Sequence, residues 1–241
     1  MTSYHGGKQS IGEEISSAIM DHCASVGFAP RHYCEPFCGM LGVYRHVLHH
    51  LPESVECHAG DINESVIDMW TNVQNGWEPS SLGIDSEDYK ILKDGPHSAQ
   101  KGFACHQFAF GGRWMSTHKT ISESPAEIRG RYTAAKSRVC DIGKILGDRV
   151  KFSCGSYDQY SNLSGAIIYC DPPYRKSTCK YLSRFDNDMF ETWCKKMSML
   201  NMVYISGYDS SFTRIWSKQQ KIKPGKGKNS TRRTEVLCVC N

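Results

Sequence analysis

Between Ile11 and Asn75 the chain alternates helix and strand, and both strands end on chemistry-bearing residues. A helix from Ile11 to about Ala24 leads into a short strand, Tyr33 to Glu35. A turn holding Gly39 and Gly42 follows, then an apolar-periodic helix from Val43 to His50. A second strand, Glu56 to Ala59, ends at Asp61, and a helix runs from Glu64 to about Val73. Strand, glycine turn, helix, and strand ending in an acid make up a doubly wound nucleotide-binding half, in which ligands lie beyond the carboxyl ends of parallel strands. From Val150 onward the alternation resumes. Strands are expected at Val150 to Ser153, Ala166 to Cys170, Met202 to Ser206 and Glu235 to Cys240, with a helix around Met189 to Leu200. All of them would join one buried sheet.

Between these regions, residues 76–148 are rich in Gly, Ser, His and Arg and carry no long strand. The expected organisation is therefore a core of residues 1–75 and 149–241 interrupted by an inserted recognition region at 76–148, against a plainer reading as long surface connections. A length of 241 residues suits one sizeable core. No apolar run approaches the ~20 residues of a membrane span. Met1 to Gly12 is polar where a secretory signal needs an apolar stretch, so an intracellular, cytoplasmic protein is expected, with its twelve cysteines as reduced thiols. Cys34, Cys38, Cys57 and His58 are metal-ligand types close in sequence, yet no CxxC pair occurs and no metal is expected. Cys238 and Cys240 share one face of the last strand, which is ordinary core usage.

The net charge of +4 is a weak sign of an anionic partner, and its distribution is sharper. Lys218 to Thr234 holds seven basic residues and no acid, around Pro224, Gly225 and Gly227. This reads as a mobile basic loop, either a contact for phosphates or a solvated surface.

Asp171-Pro172-Pro173-Tyr174 carries the strongest chemical signal, directly after the apolar strand. Prolines fix φ and donate no N–H, so the segment is extended with carbonyls free to accept. A carboxylate and a carbonyl together can hold both hydrogens of an exocyclic amine, and Tyr174 offers a flat face for an extruded base. Alone, such a tetrapeptide is also a common turn. Upstream, Glu35-Pro36-Phe37-Cys38-Gly39 closes the first strand. Asp61-Ile62-Asn63 closes the second, where an acid can accept from ribose hydroxyls and an apolar neighbour can pack on adenine. Tyr4-His5-Gly6-Gly7-Lys8 precedes the first helix.

With these motifs in this order, the chain resembles the Dam-type (α-class) DNA adenine-N6 methyltransferases and their phage and viral relatives along nearly its whole length. Gly155-Ser156-Tyr157, Phe185, Phe190, Ile205-Ser206-Gly207-Tyr208 and Thr234-Glu235-Val236-Leu237 extend the likeness. It departs at Met40 and Leu41, which stand where relatives carry glycines, and at Tyr4, where they usually carry Trp.

The resemblance implies a Rossmann-like methyltransferase fold and S-adenosylmethionine as cofactor, held by Tyr4, Gly7, Lys8, Asp61 and Asp171 and lined by Pro36, Phe37, Gly39 and Ile62. It implies Asp171, Pro172 and Tyr174 as the catalytic set, acting on a flipped adenine in double-stranded DNA. Arg113, Trp114 and Lys119 in the insertion, with Lys226 and Lys228, are the implied DNA contacts. Trp114 reads equally as core beneath the insertion. No obligatory protein partner is implied, and a cognate restriction enzyme is compatible with the family. Competing readings are an RNA adenine methyltransferase, a protein-glutamine methyltransferase, which would carry Asn at 171, and a catalytically silent DNA-binding module.

Overall fold

The computed structural model describes residues 7–119, 123–173, 185–207, 212–222 and 231–240. Its organising element is the strand Ala166–Cys170, an unbroken apolar run that is buried at all five positions. A strand of this composition is stable only with both faces covered, and it lies at the middle of a seven-stranded sheet. In chain order the strands are β1 (His32–Glu35), β2 (Glu56–Asp61), β3 (Val150–Cys154), β4 (Ala166–Cys170), β5 (Met202–Ser206), β6 (Thr213–Ile222) and β7 (Thr231–Cys240). The sheet order is β3-β2-β1-β4-β5-β7-β6. Pairs among β1 to β5 are parallel, and β7 runs antiparallel between β5 and β6.

Alternation along the strands sends side chains to two cores. Tyr33, Cys57, Ala59, Ile167, Tyr169 and Tyr204 face one side, and Cys34, Ala166, Ile168, Cys170, Val203 and Ile205 face the other. Helices α1 (Gly12–Ser25), α2 (Tyr44–Val47) and α3 (Glu64–Gln74) cover the first side, and α7 (Asn187–Ser198) covers the second. In α1 the apolar stripe Ile11, Ile15, Ile19 and Cys23 is buried at i, i+4 spacing. Gly12 lets this helix touch the turn after β1, since a Cβ there would lie 2.0 Å from the Gly42 carbonyl oxygen. Helix α2 is shorter than the expected Val43 to His50. His49 and His50 bond only three residues back, to His46 and Val47, and Pro52 disfavours helical backbone at Leu51.

Residues 76–148 fold mainly as α4 (Ser86–Asp94), α5 (Ala99–Gln107) and α6 (Pro125–Leu146). Helix α6 starts with Pro125 after a capping box in which Ser124 and Glu127 bond each other's backbone. Its buried stripe Ile128, Ala135, Val139, Ile142 and Leu146 joins the same core as α1 and α3. The segment thus contributes to the main core as well as to the surface.

The expected basic loop is corrected at its two flanks, while residues 223–230 lie outside the described residues. Lys218 and Lys221 lie on β6 and Arg232 and Arg233 on β7, in a continuous antiparallel ladder from Lys218↔Glu235 to Ile222↔Thr231. Lys218 also pairs with Glu14 of α1. Cross-strand pairing outweighed the polar composition, helped by Ile215 and Trp216, which pack on the core. No helix among the described residues is long and apolar enough to cross a membrane.

Candidate active site

The chain builds β1, β2 and β3 outward on one side of the sheet and then returns to place β4 on the other side of β1. Adjacent crossovers therefore leave in opposite directions beyond β1 and β4, and the crevice between them is where an open α/β sheet binds ligands. The turn after β1, the end of β2 and Asp171 after β4 meet there with Lys8 and Gln9. They line a cleft of about 120 Å³, open to solvent.

The turn after β1 is tied down from several sides. Asp61 accepts from the Gly39 N–H at 3.0 Å through Oδ2 and from the Asn63 N–H at 2.9 Å through Oδ1. Trp70 donates to the Gly39 carbonyl at 2.8 Å, Gln9 donates to the Met40 carbonyl at 2.8 Å, and Cys38 N–H donates to Gly60 O. Gly39 itself has φ +44°, a conformation that favours glycine. Met40 and Leu41 are buried, and Leu41 is held at φ +53°. Burial raises the pKa of Asp61, and its backbone donors act against that rise. Next to it Ile62 is 50 % exposed, an apolar side chain at the lip of the cleft.

At the end of β4, Lys8 Nζ donates to Asp171 Oδ1 at 2.6 Å and lies 3.6 Å from Glu235 Oε1 on β7. Lys8 and Glu235 are buried, and Asp171 is the more open member. One ammonium is thus shared by two carboxylates, which fixes the orientation of Asp171 and offsets part of the negative charge. Below them Tyr33 donates to Glu35 Oε1 at 2.6 Å. Burial pushes the Glu35 pKa well above the carboxylate range; the Tyr33 bond works against this and Asp171 adds to it. Phe37 sits in an aromatic cluster with Tyr157, Phe185 and Phe190 at centroid distances of 5.6–5.9 Å. This gathers four of the aromatic positions singled out in the sequence.

Gly7, Lys8, Phe37, Gly39, Asp61, Ile62, Asp171 and Pro172 all line the cleft. Pro36 is buried beside the cleft without lining it. Tyr4, Tyr174, Lys226 and Lys228 lie outside the described residues. Among the insertion residues, Arg113 is exposed. Trp114 is half-buried against His106, with ring centroids 4.9 Å apart. Lys119 corrects an expectation: it is 5 % exposed, and its ammonium donates to the Gln107 carbonyl at 2.7 Å. Burial lowers its pKa to about 8. The exposed aromatic ring beside Arg113 is Phe110. Glu235, Glu35 and Gln9 were not among the expected site residues. An acid within the apolar closing strand was the available signal for Glu235.

Residues 123–231, somewhat under half of the chain, match the family described as D12 class N6 adenine-specific DNA methyltransferase. No curated protein matches the chain. Similar solved structures include a proposed RNA methyltransferase, PH1948 of Pyrococcus horikoshii, at 11 % identity and TM-score 0.40, covering 94 % of this chain and 83 % of that one. Precorrin-6y C5,15-methyltransferase of Geobacter metallireducens aligns at 7 % identity and TM-score 0.40, covering 95 % and 89 %. An S-adenosylmethionine-dependent methyltransferase of Clostridium acetobutylicum aligns at 12 % identity and TM-score 0.31, covering 94 % and 73 %. Alignments this loose carry no functional weight.

Proposed function

Because residues 123–231 carry the D12 class N6 adenine-specific DNA methyltransferase match, we propose that the chain methylates the N6 amine of adenine in duplex DNA, with S-adenosylmethionine as donor. The observation that carries this reading is the Lys8–Asp171 pair at the switch point, where an ion-paired carboxylate faces an open cleft beside a proline carbonyl.

The donor set suits the cofactor. Each oxygen of Asp61 accepts one backbone N–H and keeps lone-pair capacity for a ribose diol. Ile62 offers an exposed apolar face to a purine ring. At Gly42 a Cβ would lie 3.2 Å from Lys8 and Gln9 main-chain atoms, so the missing side chain lets the segment carrying Lys8 pack against this turn. Bound S-adenosylmethionine supplies an electrophilic methyl group on its sulfonium.

The chain's own part is positioning. Asp171 accepts a hydrogen bond from the N6 amine and the Pro172 carbonyl accepts another, which turns the nitrogen lone pair out of the ring plane toward the incoming carbon. Lys8, held by Glu235, prevents Asp171 from rotating away. Positioning and electrostatics then lower the barrier without a covalent enzyme intermediate. The amine proton becomes acidic only as the new bond forms and can leave to solvent. Arg113, Lys226 and Lys228 would contact DNA, with Tyr174 stacking on an extruded base. Single-turnover transfer of labelled methyl to duplex DNA, followed by nucleoside analysis, tests the reading. N6-methyladenine supports it, whereas methylcytosine, or transfer to RNA alone, overturns it.

A further inference from the structure

We propose that His32, Glu56 and His58 form a zinc-class divalent-metal site at the amino ends of β1 and β2, remote from the cleft. The site follows from strand register. His32 pairs with Glu56 and Cys34 with His58 across two parallel strands, so the two-residue repeat puts all three side chains on one face. Their ligand atoms lie within 4.8 Å of one another. His58 Nε2 is 3.5 Å from His32 Nδ1 and 4.0 Å from Glu56 Oε2.

These distances bear on the ion directly. Ligands about 2.0–2.1 Å from a tetrahedral centre stand roughly 3.3–3.4 Å apart, so the two imidazoles are already spaced as zinc ligands. Glu56 is exposed and can close the remaining gap by side-chain rotation. Two imidazoles and one carboxylate, with water in the fourth position, are a borderline-soft donor set. Lys151 of β3 donates to Glu56 Oε2 at 2.9 Å, so a cation already answers this carboxylate. An incoming ion must displace it.

Cys34, Cys38 and Cys57 are buried, and Cys57 belongs to the core on the other side of the sheet from Cys34. His58 finds its partners across the ladder instead. His32 and Glu56 open their strands, whereas Glu35 and Asp61 close them at the cleft. The ion would pin two central strands at the far edge without entering methyl transfer.

The test uses the full chain, stripped with chelator and titrated with Zn²⁺ and with Co²⁺ by calorimetry and visible absorption. One ion per chain is expected, with weak ligand-field bands of nitrogen and oxygen ligation and a rise in Tm. Affinity should fall at least a hundredfold in a folded His32→Ala/His58→Ala double variant and about tenfold in the exposed Glu56→Gln variant. Lys151→Met should tighten binding several-fold by removing the competitor. The site is overturned if no ion binds at micromolar concentration, if binding persists in the double variant, or if Co²⁺ shows intense thiolate bands that place it on cysteine.

Discussion

The turn after β1 and the turn after α5 are both glycine-bearing and aromatic, yet they are built in different ways. In the first, residues 36–42, main-chain groups are tied to Asp61, Trp70 and Gln9, and the ligand-facing surface is largely backbone. In the second, residues 108–119, Gly111 and Gly112 both have φ +66°, Phe110 and Arg113 point outward, and Trp114 and Lys119 turn inward. Its ties include Phe110 N–H to the Thr117 carbonyl at 2.7 Å, the Tyr89 hydroxyl to the Ser116 carbonyl at 2.7 Å and the Lys119 ammonium to the Gln107 carbonyl. The first turn, proposed to face the cofactor, is held by polar bonds from a strand end, a helix and the segment before α1. A turn that meets a variable surface can anchor one aromatic ring and release another.

The largest effect expected from this contrast lies at the first turn's neighbour. Asp171→Ala removes the acceptor proposed to hold the reacting amine and should cost about 3 kcal/mol or more of barrier, roughly a hundredfold in single-turnover rate. The fold should persist, because Asp171 is the most open member of its ion cluster. Transfer at the parental rate by the folded variant would break the assignment. Next, Asp61→Ala should weaken S-adenosylmethionine binding by about 1.5–3 kcal/mol, since a charged acceptor is lost and Gly39 is freed. Calorimetry reads this directly, and unchanged affinity would reduce Asp61 to a purely structural tie.

The legible and illegible parts of the molecule divide along the same line. Strands β1, β2, β4 and β5 could be read locally, because an apolar run ending on a glycine or an acid is contained within a few residues. Strand β6 could not, since Lys218 to Ile222 looks polar until β7 pairs with it. Lys8 and Asp171 were both named from their motifs, but their ion pair spans 163 residues and its sharing with Glu235 belongs to the tertiary fold. Around α5, composition could not say which of Phe110 and Trp114 faces solvent, or that Lys119 would be buried. Long amphipathic side chains serve either environment.

A difference in pH response would sharpen the contrast. His106 is buried beneath the second turn, and burial lowers its pKa to about 4. In the unfolded chain the ring takes up a proton near pH 6.5, while the folded chain resists protonation until about 4. The unfolded state therefore binds more protons between these values. Stability is intact above about 6.5 and falls as the pH drops toward 4. Between pH 7 and 5 this ring should account for about 2 kcal/mol of lost stability. Denaturant unfolding of the parent and of His106→Gln at both pH values isolates the contribution, and parallel pH losses in the two proteins would remove His106 as its source.

The smallest effect should come from the outward side chain of the second turn. Arg113 is exposed and next to glycines that let the backbone approach another surface closely. If it reads a base edge, Arg113→Ala should cost about 1 kcal/mol of specific DNA affinity, at the low end of what a base contact provides. If it meets only phosphate, the loss should be similar on every sequence and the salt dependence should fall by about 0.9 in slope. Either result leaves Tm unchanged, because no buried surface is removed. Trp114→Ala should do the reverse, lowering Tm through the lost packing on His106. Equal Tm losses in the two variants, with DNA affinity unaffected in both, would mean that the second turn is scaffold throughout and that recognition lies elsewhere on the chain.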